Sequence, residues 1–362
     1  MACRCPQVRR RSRLSTHPDS LPSLHRLADA TVRAERDRHS RLDITFSPTL
    51  EESTHMKNPT LIRRGFTLVE LLVVIAIIAV LVGLLLPALA KAQANAKTVK
   101  DSTQVTQIHK AFMIYANDNT EGKLPIPGLI NRLAVVIGTQ AMQLQGQGKE
   151  DFGKNSTANL YSACIAREMF NTDIVIGPTE VNPVVVEKKD YDHTQYDPAS
   201  DKYWDTTFYA NVHAQPGGAN NPFCHTSFAH QGLFGLRKKM SWRNTSDSTK
   251  PLVASRGTKN GAMTGDDFKK SPTLQIHGSK KEWEGNVCFA DNHTQFLSSM
   301  YPDGVSYECG TGNLTKDNLY NCEFTSCGTG ASGAAAGDAY LGITIGVPQE
   351  NMGTHTVDAL NP

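Results

Sequence analysis

Glu70 is the one ionisable side chain between Phe66 and Leu86, a run of 21 residues. A carboxylate held deep in lipid without a partner costs about 2.5–3.5 kcal/mol. An apolar run that keeps one therefore has a use for it, and the chemistry open to it there is neutralising a cation where water is scarce. Other residues able to do chemistry are scattered. Histidines gather between His193 and His293, and His213, Cys224, His225 and His230 form a candidate transition-metal set. The plainer reading is a group of unrelated loop histidines, which the lack of ligand-like spacing favours. Asp266-Asp267 beside Gly265, and Asp291-Asn292, offer oxygens of the kind calcium takes, without EF-hand spacing. The metal question stays open. No GxSxG, HExxH, phosphate-binding loop or dinucleotide fingerprint occurs, so the chain reads as a non-enzyme. Tyr203-Trp204, Phe208-Tyr209 and Trp283 could line a carbohydrate-binding surface, with core or hairpin packing as the plainer use.

The elements that must position these residues begin with the apolar run itself. As a helix, Phe66–Leu86 is about 31 Å long, the thickness of a hydrocarbon core, and lipid leaves the backbone no other way to satisfy its polar groups. Ala-, Lys- and Gln-rich sequence continues to about Ala116, with Val105, Ile108, Phe112 and Tyr115 on one stripe. The stripe predicts a soluble half of the same helix, packed on a globular domain. Asn117 to Pro125 holds the turn formers and proline that stop it. Arg132–Lys154 reads as a short helix or irregular segment. Candidate strands are Asp173–Ile176, Pro183–Glu187, Thr206–Val212, Pro251–Ser255, Asn286–Ala290, His293–Leu297 and Ala339–Ile345. The clearest unit is a hairpin with Asp291-Asn292 as a two-residue turn, which pairs Val287 with Phe296 and Phe289 with Thr294. Gly328–Gly337 is a flexible loop by composition.

Gly65-Phe66-Thr67-Leu68-Val69-Glu70, followed by the apolar run, resembles the processing site of type IV prepilins and type II secretion pseudopilins. The resemblance implies cleavage between Gly65 and Phe66 by a prepilin peptidase, N-methylation of Phe66, and an assembly role for Glu70. It also matches Pro87, as a helix break, to a proline common in these helices. The implied fold is α+β and pilin-like: a long N-terminal helix packed on an antiparallel sheet domain with loop-rich insertions. The implied partners are the peptidase, other pilin-like subunits in a filament, and the membrane, with the leader in the cytoplasm and the bulk in the periplasm or at the cell surface. His277 and the Asp291-Asn292 turn loosely resemble a C-terminal pattern of such proteins, and no function is carried over with them. Two rival readings of the run remain. One is a secretory signal peptide cut after Ala88-Leu89-Ala90, and the other is a plain single-pass anchor; neither uses Glu70.

Composition adds an expectation about the start of the chain. Residues 1–55 hold ten arginines and no lysine, whereas residues 56–362 hold seven arginines and twenty lysines. Met1–His55 therefore reads as an extension outside the mature protein, or else as a basic arm. The expected organisation is 1–55 extension, 56–65 leader, 66–86 transmembrane helix, 87–117 soluble half-helix and 118–362 exported β-rich domain. A formal net charge of +2 gives no bulk attraction to nucleic acid, so no nucleic-acid partner is expected. Six cysteines follow the expected cleavage point: Cys164, Cys224, Cys288, Cys309, Cys322 and Cys327. Export to an oxidising compartment makes them candidate disulfides of unknown connectivity, with zinc as the rival. No cofactor is expected, calcium apart. The function that follows is a filament subunit of a pseudopilus or type IV pilus-like assembly; the alternative is a pilin-anchored, extracytoplasmic glycan-binding module.

Overall fold

A computed structural model describes residues 65–119, 121–130, 133–137, 139–144, 149–197, 200–212, 223–278, 281–308, 314–321, 338–349 and 352–356. The chain divides into Met1–Thr67 and Leu68–Pro362. Of the first unit only Gly65–Thr67 is described, without regular structure and exposed.

The second unit opens with α1, Leu68–Asn117, 50 residues without interruption. At 1.5 Å per residue it is roughly 75 Å long. Pro87 lies inside it and does not break it. A mid-helix proline removes one backbone hydrogen bond, to the carbonyl four residues earlier, and costs about 3 kcal/mol in water. Here that carbonyl belongs to Gly83, which brings no side chain to crowd the ring. Beyond Asn117 the chain turns sharply. Asn119 clips the turn through both ends of its amide, accepting from Lys123 N at 3.1 Å and donating to Lys123 O at 2.7 Å.

A six-stranded antiparallel sheet is the body of the domain. Its strands are β3 (Phe228–Gln231), β4 (Pro251–Ser255), β5 (Gly285–Phe289), β6 (Thr294–Leu297), β9 (Leu341–Gln349) and β10 (Met352–Thr356), in the order β10-β9-β3-β4-β5-β6. Two hairpins stand apart, β1 (Leu133–Ile137) with β2 (Gln140–Leu144), and β7 (Ser306–Glu308) with β8 (Leu314–Lys316). A 10-residue helix, α2 (Thr157–Ala166), starts at Ser156, whose side chain accepts from Asn159 N.

Both faces of the inner strands are covered, which is why every residue of β4 and β5 is buried rather than every second one. On one face Val105, Ile108 and Phe112 of α1 join Phe228, Leu252, Val253 and Cys288, with Trp242 and Tyr161 closing over Phe112. On the other, Ala254, Val287 and Phe289 meet Trp283, Met300, Leu319 and Tyr320 from the connecting loops. α1 therefore packs on an antiparallel sheet, the α+β arrangement that the stripe on α1 implies.

Several local expectations are corrected. Arg132–Lys154 contains the β1–β2 hairpin rather than a short helix. Asp173–Ile176 is no strand: Thr172–Val175 is a 3-10 turn, and the carbonyls of Asp173 and Ile176 are taken by the side chain of Gln104. Pro183–Glu187 makes only an isolated bridge, Val185 to Cys224. In Thr206–Val212, Phe208, Ala210 and Val212 are buried in alternation, but among the described residues the segment forms no strand, and Tyr209 O accepts from His225 N at 2.7 Å. The hairpin is where the sequence places it, in a different register. Asn286 faces Phe296, Val287 faces Gln295 and Cys288 faces Thr294. Asn292 takes a left-handed φ of 68°, and Phe289 N bonds His293 O at 3.0 Å, so the loop has three residues and a bulge.

Cys164, Cys224 and Cys288 are buried, and the thiols of Cys164 and Cys288 are free. The disulfide expectation fails for those two. All three side chains fill apolar space like small hydrophobes, and burial pushes the Cys288 thiol up to about 12. Cys309, Cys322, Cys327 and the Gly328–Gly337 loop lie outside the described residues, as do residues 1–64.

Candidate functional site

The amino-terminal end of α1 is built for an apolar environment. Every large apolar side chain from Leu68 to Leu89 is exposed, and none of the most apolar 18-residue window is buried. The helix is long and apolar enough to cross a membrane. Glu70 sits in its first turn, where the unsatisfied amides make the helix end partially positive and favour an acid. Phe66 is 75 % exposed.

Further along, polar side chains fix the same helix to the sheet. Asp101 Oδ2 accepts from Asn286 Nδ2 at 2.8 Å and from Ser255 Oγ at 3.2 Å, and lies 3.6 Å from His277 Nε2. The same Asn286 amide also donates to Thr98 O at 3.2 Å, so one side chain of β5 holds two positions on the helix. Burial pushes the Asp101 carboxyl up to about 6, against the pull of Asn286 and Ser255, and burial takes His277 down to about 4. An ideal Cβ on Gly177 would stand 2.9 Å from Asp101 Oδ1, so the chain passes too close here for any larger residue. One turn on, Gln104 holds the 172–176 segment. Thr106 gives its proton to Ser102 O at 2.8 Å and accepts from Thr294 of β6 at 2.7 Å. His109, kept neutral by burial, donates from Nδ1 to Asn292 Oδ1 at 2.9 Å and so grips the hairpin turn.

Ser255, His277 and Asp101 bring together the residue types of a hydrolase triad in the wrong order. The same His277 nitrogen faces both the Ser255 hydroxyl, at 3.4 Å, and Asp101, while Ser255 gives its proton to Asp101 directly. Activating a serine needs the histidine between the two, with the acid on its other nitrogen. This group locks a helix in place.

Residues 62–86 match the family described as the prokaryotic N-terminal methylation motif. Over these residues the chain is similar to type IV prepilins. The matched residues coincide with the exposed apolar end of α1 and include Gly65, Phe66, Glu70 and the approach to Pro87. No curated protein and no solved structure matches the chain. The motif points to a structural subunit anchored by its N-terminal helix.

Outside the matched segment the other candidate residues go separate ways. Among the described residues no three of His, Cys, Asp and Glu gather as a metal site. His225 bonds Val186 O, and His230 lies between Thr157 and Gln231; His213 is outside the described residues. Asp266 pairs with Lys270, Asp267 with Lys259 and Asp291 with His293. Trp283 is core and donates to Arg256 O, Phe208 is core, and Tyr209 stacks on His225. Tyr203 and Trp204 border a cleft. The residues the sequence reading missed are Asp101, Gln104 and His109. The available signal was their place beside Val105 and Ile108, on the stripe taken to face the domain.

Proposed function

We propose that the chain is a subunit of a type II secretion pseudopilus or type IV pilus-like filament. A prepilin peptidase cuts between Gly65 and Phe66, Phe66 is methylated, and the protein waits in the cytoplasmic membrane with its globular domain in the periplasm or at the cell surface. Assembly with other pilin-like subunits then buries the apolar half of α1 among neighbouring helices. Glu70 sets the register by neutralising the Phe66 amine of an adjacent subunit, a pairing that has value only where water is excluded. The observation that carries this reading is the methylation motif running into an unbroken helix whose first stretch, Leu68–Leu89, is exposed and holds no charged residue besides Glu70.

Mass spectrometry of the mature N-terminus tests it. Methylated Phe66 is the expected species. A chain beginning at Lys91 would make the run a signal peptide, and one retaining Met1 or Met56 would make it an uncut anchor. Glu70→Ala is expected to insert in the membrane and to be under-represented in sheared filaments, whereas normal incorporation would remove the register role.

A further inference from the structure

A cleft of about 310 Å³ opens beside the last turn of α2. Ala163 and Ala166 of that helix line it as small residues, and Tyr196, Tyr203 and Trp204 supply aromatic surface. Arg167, which caps the helix, lines it too. Tyr203 and Trp204 are buried, but Tyr196 is 60 % exposed. A solitary exposed aromatic is ordinary; one held in place on the wall of a cleft is not.

Tyr196 is held. Asp197 and Lys202 form an antiparallel bridge, with Asp197 N to Lys202 O at 2.9 Å and Lys202 N to Asp197 O at 3.0 Å. The two tyrosines flank that bridge and meet edge to face, ring centroids 5.9 Å apart and planes at 83°. Trp204 is fixed in turn, its indole N–H donating to Asn159 Oδ1 at 2.9 Å. The Arg167 guanidinium lies 5.1 Å over the ring of Tyr115, at the end of α1. Stacking orients its N–H groups while leaving them able to donate.

Rigid aromatic surface together with fixed N–H donors suits one class of ligand well. A pyranose ring has an apolar C–H face that lies on an aromatic ring and a hydroxyl edge that needs donors and acceptors. A lipid tail would have no use for the guanidinium. An anion would meet the carbonyl end of α2, the partially negative end of the helix, against which Arg167 is already set. A quaternary ammonium would meet a like charge in Arg167. From this arrangement we infer that the cleft binds a neutral hexopyranose unit of a glycan, with Tyr196 as its platform and Arg167 donating to its hydroxyls. The inference does not draw on the filament reading, and the mature N-terminus stands or falls separately.

The test uses the full chain in a detergent without sugar headgroups, with cellotriose, maltotriose and chitotriose as neutral probes and tri-galacturonate and phosphocholine as charged ones. Titration is followed by calorimetry and by tryptophan fluorescence. At least one neutral trisaccharide is expected to bind at millimolar concentration and to change the fluorescence, with the change lost in Trp204→Phe. Tyr196→Ala should weaken that binding about tenfold, and Arg167→Met should weaken it by several-fold, since each removes one recognition element. Both side chains are exposed, so an unchanged circular dichroism melt shows that these variants still fold. Failure of every neutral probe to bind overturns the proposal. So does binding that Tyr196→Ala leaves intact, or binding confined to tri-galacturonate or phosphocholine.

Discussion

Leu68–Leu89 and Asp101–Asn117 belong to one helix and treat their surroundings in opposite ways. The first stretch shows apolar side chains on all sides and keeps a single acid at its tip. The second buries one stripe, and Asp101, Gln104, Thr106 and His109 tie that stripe to four different places on the domain. Apolar contact is non-directional, so a helix covered only with Leu, Ile and Val can slide or rotate against its neighbours at little cost. Hydrogen bonds have direction, and a buried donor left without its acceptor costs about 1–3 kcal/mol. One half is therefore free to find partners while the other is held to a single register on the sheet.

Breaking the held half should have the largest effect. Phe112 is fully buried among Tyr161, Phe170 and Trp242. Phe112→Ala is expected to lower unfolding stability in detergent by about 3–5 kcal/mol, read by denaturant titration, while membrane insertion is unchanged. If insertion fails too, the two halves are not independent.

The next effect is a pH dependence confined to the domain. His230 accepts from the Thr157 hydroxyl at Nε2, 2.8 Å, while Thr157 accepts from Thr344 N at 2.7 Å and His230 Nδ1 donates to Gln231 O at 2.8 Å. That chain needs a neutral ring, and burial holds the histidine down to about 4 from its usual 6.5. Its contribution is therefore complete above pH 6.5 and is lost as pH falls toward 4, amounting to about 3 kcal/mol. Asp101 works the other way. Its folded-state value is raised to about 6 from 3.8, so its contribution is complete below 3.8 and is lost as pH rises through 6. Unfolding measured from pH 7 to 4 should show a steeper acid loss in Asp101→Asn, by up to about 3 kcal/mol, and a shallower one in His230→Gln. Parallel curves for the three proteins would mean that neither group titrates as its burial requires.

The smallest test concerns register alone. Thr106→Val removes the hydroxyl that meets Thr294 and should cost about 1 kcal/mol. Hydrogen exchange should quicken at β6 and not in Leu68–Leu89. Uniform quickening would place the effect in the whole fold rather than in the grip on one strand.

The helix, its core-facing stripe and the position of the hairpin were legible because each rests on local periodicity. What failed depended on distant neighbours. Phe208, Ala210 and Val212 are buried in alternation as in a strand, yet among the described residues they belong to no ladder. β3, an inner strand, was overlooked because half of its four residues, His230 and Gln231, are polar; both are buried. The hairpin register turned on Asn292: its left-handed backbone lengthens the loop by one residue and exchanges which side chains face each other. The partners of Asp101 were not legible, since nothing near it in sequence announces Asn286 or Ser255. Cysteine spacing, likewise, holds no information on whether a buried thiol has a partner.

The unbroken passage of α1 through Pro87 has a mechanical consequence. No hinge separates the membrane end from the domain, so traction on the first stretch travels along one rod to the turn carrying Asp101. It enters the domain first at β4 and β5, inner strands braced by neighbours on both sides, and only further along α1, through Thr106, at the edge strand β6. A subunit anchored in this manner can be pulled without being peeled.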